Sequence, residues 1–230
     1  MMRAVPAFLA PSALRLSTLA LVALVPALAL AQAPESAPAP APVSEAAPAS
    51  AAPEGDEAVI NPVEKPIRTL INAVRFGKFD LALKSLSGDP MGAALLGEDW
   101  TTATPEQRSE FVALFQKLFA KVAFPKMKER FENIQTIVYD APEFLATQFG
   151  GEIQDQARIK STIVILHALK KQELKVHYTL VKVGEDWKIL DAKVLGDSMV
   201  EGIRQDQIVP IMKEGGWTNL LDLMRKKVAG

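Results

Sequence analysis

Few side chains in this 230-residue chain are equipped for chemistry. It has two histidines, His167 and His177, and no cysteine, so the common zinc sites built from several thiolates and imidazoles are excluded. His167 falls at a strand end and His177 on the polar face of its strand, both read as exposed or structural. Asp191 is the carboxylate of most interest. It stands mid-strand beside Ile189, where an acid can serve as a general base in the pocket of a cone-shaped α+β enzyme. The structural alternative is that Asp191 faces solvent, pairs with Lys193 or Lys160, or caps backbone. That reading is preferred, because no second acid or histidine stands with it. Arg204 could meet a phosphate, but a helical arginine more often pairs with a nearby acid, here Glu201. No G-x-S-x-G, H-E-x-x-H or phosphate-cradling loop occurs, and Gly150-Gly151 and Gly215-Gly216 read as turns.

The elements that must position these residues centre on Leu174 to Arg204. Leu174, Val176, Tyr178 and Leu180 alternate with Lys175, His177, Thr179 and Val181, the period of a half-buried strand. Gly184-Glu185-Asp186 is turn chemistry, and Trp187 to Leu195 is the return strand of a hairpin ended by Gly196. Ser198 stands three residues before Glu201, the spacing of a capping box, and opens a helix carrying Met199, Val200 and Ile203 on one face.

Upstream, Asn61-Pro62 or Pro66 opens a helix with Ile67, Leu70, Ile71 and Val74 on one stripe. A second helical stretch runs from Phe79 to Leu86, and a short helix from Met91 to Leu96. Thr104-Pro105-Glu106-Gln107 is a capping box with proline at the first position. It opens a long helix whose Phe111, Leu114, Phe115, Leu118, Phe119 and Val122 form a wide apolar face. Pro125 kinks or ends that helix, and Met127 and Phe131 extend its apolar surface. Strands are predicted at Ile134 to Tyr139 and Ile159 to Leu166, with Lys170-Lys171-Gln172 as the following turn. Phe144 to Phe149 fits a strand or a loop. The last helices run from Ser198 to about Lys213, broken near Pro210, and from a Thr218 cap to Lys227. The order predicts an α+β domain, with helices packed on one face of a curved, roughly four-stranded antiparallel sheet enclosing an apolar pocket.

The N-terminus has a different logic. Arg3 and Arg15 flank an apolar run, Leu16 to Leu30, and Ala29-Leu30-Ala31 is an A-x-A cleavage pattern. As a helix the run rises ~22 Å against a hydrocarbon core of ~30 Å, so residues 1–31 read as a cleaved signal peptide rather than an anchor. Residues 32–58 are Ala, Pro, Ser and Glu with almost nothing large and apolar, a disordered tether. Residues 59–230 form the folded domain. Loss of Arg3 and Arg15 leaves 24 of the 26 basic residues against 27 acidic ones, a net charge near −3. That balance argues against nucleic acid as a partner.

A spaced set of residues carries a resemblance. It comprises Trp100, Thr104-Pro105-Glu106-Gln107-Arg108, Phe111, Phe115, Tyr178, Trp187-Lys188-Ile189-Leu190-Asp191, Gly196-Asp197-Ser198-Met199, Arg204 and Gly215. The stretch from about Pro62 to Lys227 resembles the MlaC-type periplasmic phospholipid-binding proteins, also called toluene-tolerance auxiliary proteins. The resemblance implies an exported α+β domain whose sheet and helices part to hold acyl chains. It implies no enzyme activity and no cofactor beyond phospholipid as cargo. The implied partners are an inner-membrane ABC lipid transporter complex and an outer-membrane lipoprotein complex. Pocket candidates on the helices are Phe111, Phe115, Phe119, Met127, Phe131, Met199 and Ile203. On the strands they are Val164, Leu166, Leu174, Val176, Tyr178 and Leu180. The alternatives are a carrier of another lipid such as a hopanoid, an enzyme using Asp191, and a lipid-free interaction module.

Overall fold

A computed structural model describes residues 61–149, 152–167 and 170–230. The expected leader and tether and the Gly150-Gly151 turn lie outside the described residues, as does the side chain of His167.

Asn61 starts the domain. Its side-chain oxygen accepts from the Val63 N–H at 3.0 Å, and its carbonyl accepts from Glu64 N–H. Helix α1 (Glu64–Arg75) follows, with Pro66 in the first turn, where a missing N–H costs nothing. Ile67, Leu70, Ile71 and Val74 are buried along its predicted stripe. Three short helices come next: α2 (Phe79–Leu83), α3 (Asp89–Leu96) and α4 (Glu98–Thr102). The expected box then opens α5 (Pro105–Leu118). Thr104 Oγ1 accepts from Gln107 N–H, and Gln107 Oε1 accepts from Thr104 N–H at 2.9 Å.

Pro125 does not end this helical run. A π turn (Phe119–Ala123) intervenes, and α6 (Phe124–Phe131) continues with Pro125 near its start. The second predicted proline break resolves the same way. Helix α7 (Met199–Ile203) passes through a π turn (Arg204–Ile208) into α8 (Val209–Ala229), with Pro210 just past the turn. A wide turn shifts the hydrogen-bond register, so a proline beside it removes a donor that the α register no longer requires. The real break in α8 is the expected glycine pair. Gly215 (φ −163°, ψ 18°) and Gly216 (φ 60°, ψ −155°) leave helical geometry. A Cβ on Gly215 would sit 2.7 Å from Asn219 Cβ, and it is the Asn219 amide, donating to the Ile211 carbonyl at 3.4 Å, that bridges the kink.

Six strands form one antiparallel sheet: β1 (Ile134–Tyr139), β2 (Glu143–Phe149), β3 (Glu152–His167), β4 (Lys170–Val183), β5 (Asp186–Val194) and β6 (Asp197–Ser198). The order is β1-β3-β4-β5-β6, and β2 pairs with the other end of the same edge of β3. Phe144 to Phe149 is therefore a strand. Lys170, Lys171 and Gln172 are not a turn; they pair with His167, Leu166 and Ile165. The hairpin ladder is longer than its hydrophobic pattern, because backbone pairing continues after burial ends. Leu195 is likewise not in a strand. Leu195 (φ 56°) and Gly196 (φ 98°) make a two-residue turn between β5 and β6, the dihedral signature of a type I′ hairpin.

Two apolar clusters hold the domain together. The first lies between the sheet and α1, α2 and α6, and includes Ile67, Val74, Phe124, Ile159, Tyr178 and Leu180. The second is mostly helical and includes Leu95, Trp100, Phe111, Ile203, Ile211 and Leu220. Adjacent strand residues point to opposite faces. Leu180 joins the first cluster and Val181 the second, and Ile189 and Leu190 divide likewise. Helices thus cover one face of the sheet along its length and both faces at the β4–β5 end. Segment 85–87 closes the free edge of β5: Ser87 N–H donates to the Ile189 carbonyl, and Ile189 N–H to that of Ser85.

Candidate functional site

The inner face of the sheet is set by cross-strand register. Ala157, Leu180 and Ile189 lie in one row, Ile159, Tyr178 and Ala192 in the next, then Ser161 and Val176, then Ile163 and Leu174. Leu174, Val176, Tyr178 and Leu180 therefore share one surface, as their alternation predicts. Val176, Tyr178 and Leu180 are buried, while Leu174 is half-buried at the periphery. Phe119, Met127 and Phe131 pack against this cluster from the helical side, and each remains half-buried. Beyond the helices the same face continues to Phe144, which lies opposite Ala157, is 63% exposed and touches Trp187 at 5.9 Å between ring centres.

The remaining pocket candidates fall elsewhere. Phe111 and Ile203 are buried in the helical cluster, with Phe115 packed against it and Met199 half-buried on α7. Phe111 and Phe115 also line a small recess between α3 and α5, with Gly88, Met91, Gly92 and Val112. Val164 and Leu166 sit on the outer face of the sheet, opposite Glu173 and Lys171, and Leu166 is 48% exposed. Their apolar character hid the parity: Ile163 and Ile165, one residue away, hold the inner positions.

One aromatic ladder joins the two clusters. Phe111 stacks on Phe115 at 5.7 Å, Phe115 meets Phe119 at 4.8 Å, and Phe119 and then Phe79 each lie 5.7 Å from Phe124. The Phe115–Phe119 contact is the seam, and it coincides with the start of the first π turn.

Asp191 is a helix cap. Its Oδ2 accepts from Ser198 Oγ at 2.7 Å and its Oδ1 from Val200 N–H at 3.0 Å, while Ser198 Oγ accepts from Glu201 N–H at 3.0 Å. The expected capping box is completed by this strand carboxylate rather than by Glu201, whose carboxylate takes the Gln205 amide instead. Both oxygens of Asp191 are engaged in fixing the β5–β6 turn to the start of α7, a structural task that accounts for the carboxylate where it stands. Arg204 pairs weakly with Glu201 at 3.9 Å and lies against the Gly97 backbone, where an added Cβ would come within 2.8 Å of its guanidinium. His177 is exposed on the outer face between Lys160 and Lys193. Among the described residues no cluster of three or more His, Cys, Asp or Glu could hold a metal, and no helix is long and apolar enough to cross a membrane.

Sequence patterning missed a polar patch in the floor of the inner face. Tyr139 lies opposite Ser161 on the neighbouring strand, and Tyr178 is one position diagonal to Ser161. Ser161 is 3% exposed, and neither its Oγ nor the Tyr139 hydroxyl has a hydrogen-bond partner. Burial pushes the Tyr178 phenol up to about 12, and the nearby Ser161 hydroxyl pulls against this. Burial first, and then neighbouring Tyr178, hold Tyr139 protonated well above the ordinary phenol range. From α1, the Arg68 guanidinium lies 4.5 Å over the Tyr139 ring and binds Glu64 at 2.7 Å.

A family model described as MlaC protein matches residues 79–226, more than half of the chain. The chain belongs to the MlaC family. A phospholipid-binding protein from Ralstonia solanacearum, solved in complex with a phospholipid, superposes on this MlaC-family chain with a TM-score of 0.55. The two are 18% identical over 73% of this chain and 95% of that one, so the likeness is one of fold. A second solved protein, a multiply substituted Rd1NTF2 variant, reaches a TM-score of 0.29 at 15% identity over 57% of this chain and 94% of that one, too low to bear on the fold. No curated protein matches this chain in sequence.

Proposed function

We propose that this MlaC-family chain is a non-enzymatic phospholipid carrier of the periplasm. It would be the substrate-binding component that passes lipid between an outer-membrane lipoprotein complex and an inner-membrane ABC lipid transporter. In this reading residues 1–31 direct export and are removed, and residues 32–58 tether the domain. The observation that carries it is the incompletely sealed apolar face. Phe119, Met127, Phe131 and Leu174 pack on a closed core yet stay half-buried, and the face runs on to exposed Phe144. Such a wall needs a small displacement of α6 to admit acyl chains.

The energetics of acyl chains in water support a carrier of this kind. Each methylene in water costs ~0.8 kcal/mol, so two chains of about fifteen methylenes cost on the order of 24 kcal/mol. Apolar walls of comparable quality remove that cost without tight reading of the headgroup. The phospholipid-bound relative from Ralstonia solanacearum supports the same cargo.

Mass spectrometry of organic extracts from purified protein tests the reading. A glycerophospholipid near one molecule per chain is expected. A polycyclic lipid in its place would make this a carrier of another class, and recovery of no lipid under any preparation would overturn the carrier reading.

A further inference from the structure

We infer that the buried hydroxyls of Tyr139 and Ser161 are donors for the ester carbonyls of the cargo, so that the site selects acyl-ester lipids over ether-linked or polycyclic ones. The inference rests on the phospholipid reading above and names a determinant within it. Buried polar groups almost always have partners, and one left without costs free energy that nothing in the lipid-free structure returns. Among the described residues four other side-chain atoms are also buried without a partner, on Ser87, Arg108, Arg204 and Trp217. Those are spread over helices and connections. Of these atoms, those of Tyr139 and Ser161 are cross-strand neighbours on the inner face, Tyr139 packed on the sheet cluster and Ser161 opposite its Val176.

The chemistry of the patch selects the ligand group. Its hydroxyls are neutral donors in an apolar floor of Ile159, Ile163 and Val176. Bringing a phosphate there would strip a charge of water beside an Arg68 guanidinium already paired with Glu64, which is expensive. An ester carbonyl is uncharged, accepts such bonds, and lies where two acyl chains join, so chains running along the apolar face bring it to this depth. The phosphate then lies outward, past Arg68, whose side chain is 43% exposed and stacked on the Tyr139 ring. Uptake of an ester lipid satisfies both hydroxyls; an ether lipid of the same headgroup and chains leaves them as they are.

The test is competition. Purified full-length protein is equilibrated with vesicles holding equal amounts of a diester phosphatidylethanolamine and its dialkyl-ether analogue, and bound lipids are counted by mass spectrometry. The ester form is expected in roughly tenfold excess, the effect of about one well-made buried hydrogen bond. Tyr139→Phe with Ser161→Ala is expected to bring the ratio to one, while Ser161→Thr, which keeps a hydroxyl, retains the preference. A thermal melt of each variant confirms folding; if the double variant does not fold, the wild-type ratio and the two single variants decide. Equal binding of both lipids by wild type, or a preference that survives loss of both hydroxyls, overturns this inference and leaves the carrier reading standing. Binding of neither lipid overturns the carrier reading itself.

Discussion

The two apolar clusters are built from similar residues and differ in how their polar groups are placed. In the helical cluster, Phe111 is fully buried and meets Trp100, Phe115 and Trp217 within 6.3 Å, and Gly92 admits the Trp100 ring where a Cβ would collide with it at 2.6 Å. That is close packing, relieved at one side by the small recess between α3 and α5. The sheet cluster has a comparable centre in Ile67, Phe124 and Leu180 and, like the helical one, a half-buried rim; what sets it apart is that two hydroxyls without partners face each other across adjoining strands in its floor. A filled core gains nothing from such features. On the proposed carrier reading, the sheet cluster is the one that exchanges contacts and the helical one is the frame against which it opens.

The largest test of this contrast is Phe111→Ala. Deleting a fully buried ring from a packed core costs about 3–5 kcal/mol, read as a fall in the urea midpoint. Lipid recovered per folded molecule is expected to stay unchanged. A variant that keeps its stability and loses its lipid would reverse the roles of the two clusters.

The next test is alkaline. The chain has two tyrosines, and both lie in the sheet cluster. With Tyr178 raised to about 12 in the folded state from an ordinary value of 10.0, the unfolded chain loses its phenolic proton first. The stabilisation is therefore complete below pH 10 and is lost as pH rises toward 12, on the order of 2–3 kcal/mol. Tyr178→Phe should lessen the fall in that part of the stability profile measured by denaturant titration, and the remainder belongs to Tyr139, whose phenol is raised as well. An unaltered profile would mean that water reaches this floor.

The smallest effect belongs to the junction between the clusters. Asp191→Ala removes the acceptor for Val200 N–H and Ser198 Oγ and should cost about 1–2 kcal/mol, the usual worth of a helix cap. Lipid binding is expected to persist. A variant of normal stability that no longer binds lipid would give Asp191 a role at the site.

Much of the fold was legible. Thr104 and Gln107 cap as their spacing requires, the α1 stripe is buried as its period requires, and Gly184 and Gly216 break the chain where positive φ is needed. The site was legible in part. The alternation from Leu174 to Leu180 fixed which side chains share a surface, because strand parity is local. At Val164 and Leu166 consecutive apolar residues offer either parity, and only pairing with Glu173 and Lys171 places them on the face opposite Ile163 and Ile165, Val164 still buried and Leu166 exposed.

What the sequence determined by itself is whatever depends on a few neighbouring residues: caps, stripes, turns and the period of each strand. The tertiary structure decided the rest, for the same kind of reason each time. Phe115 and Phe119 lie on one helical stripe, yet a π turn and two different sets of packing partners assign them to different clusters. Asp191 caps a helix because β6 and its turn bring Ser198 back beside it. Tyr139 and Ser161 lie 22 positions apart and become one polar patch only through the register of β1 on β3, which no local preference specifies.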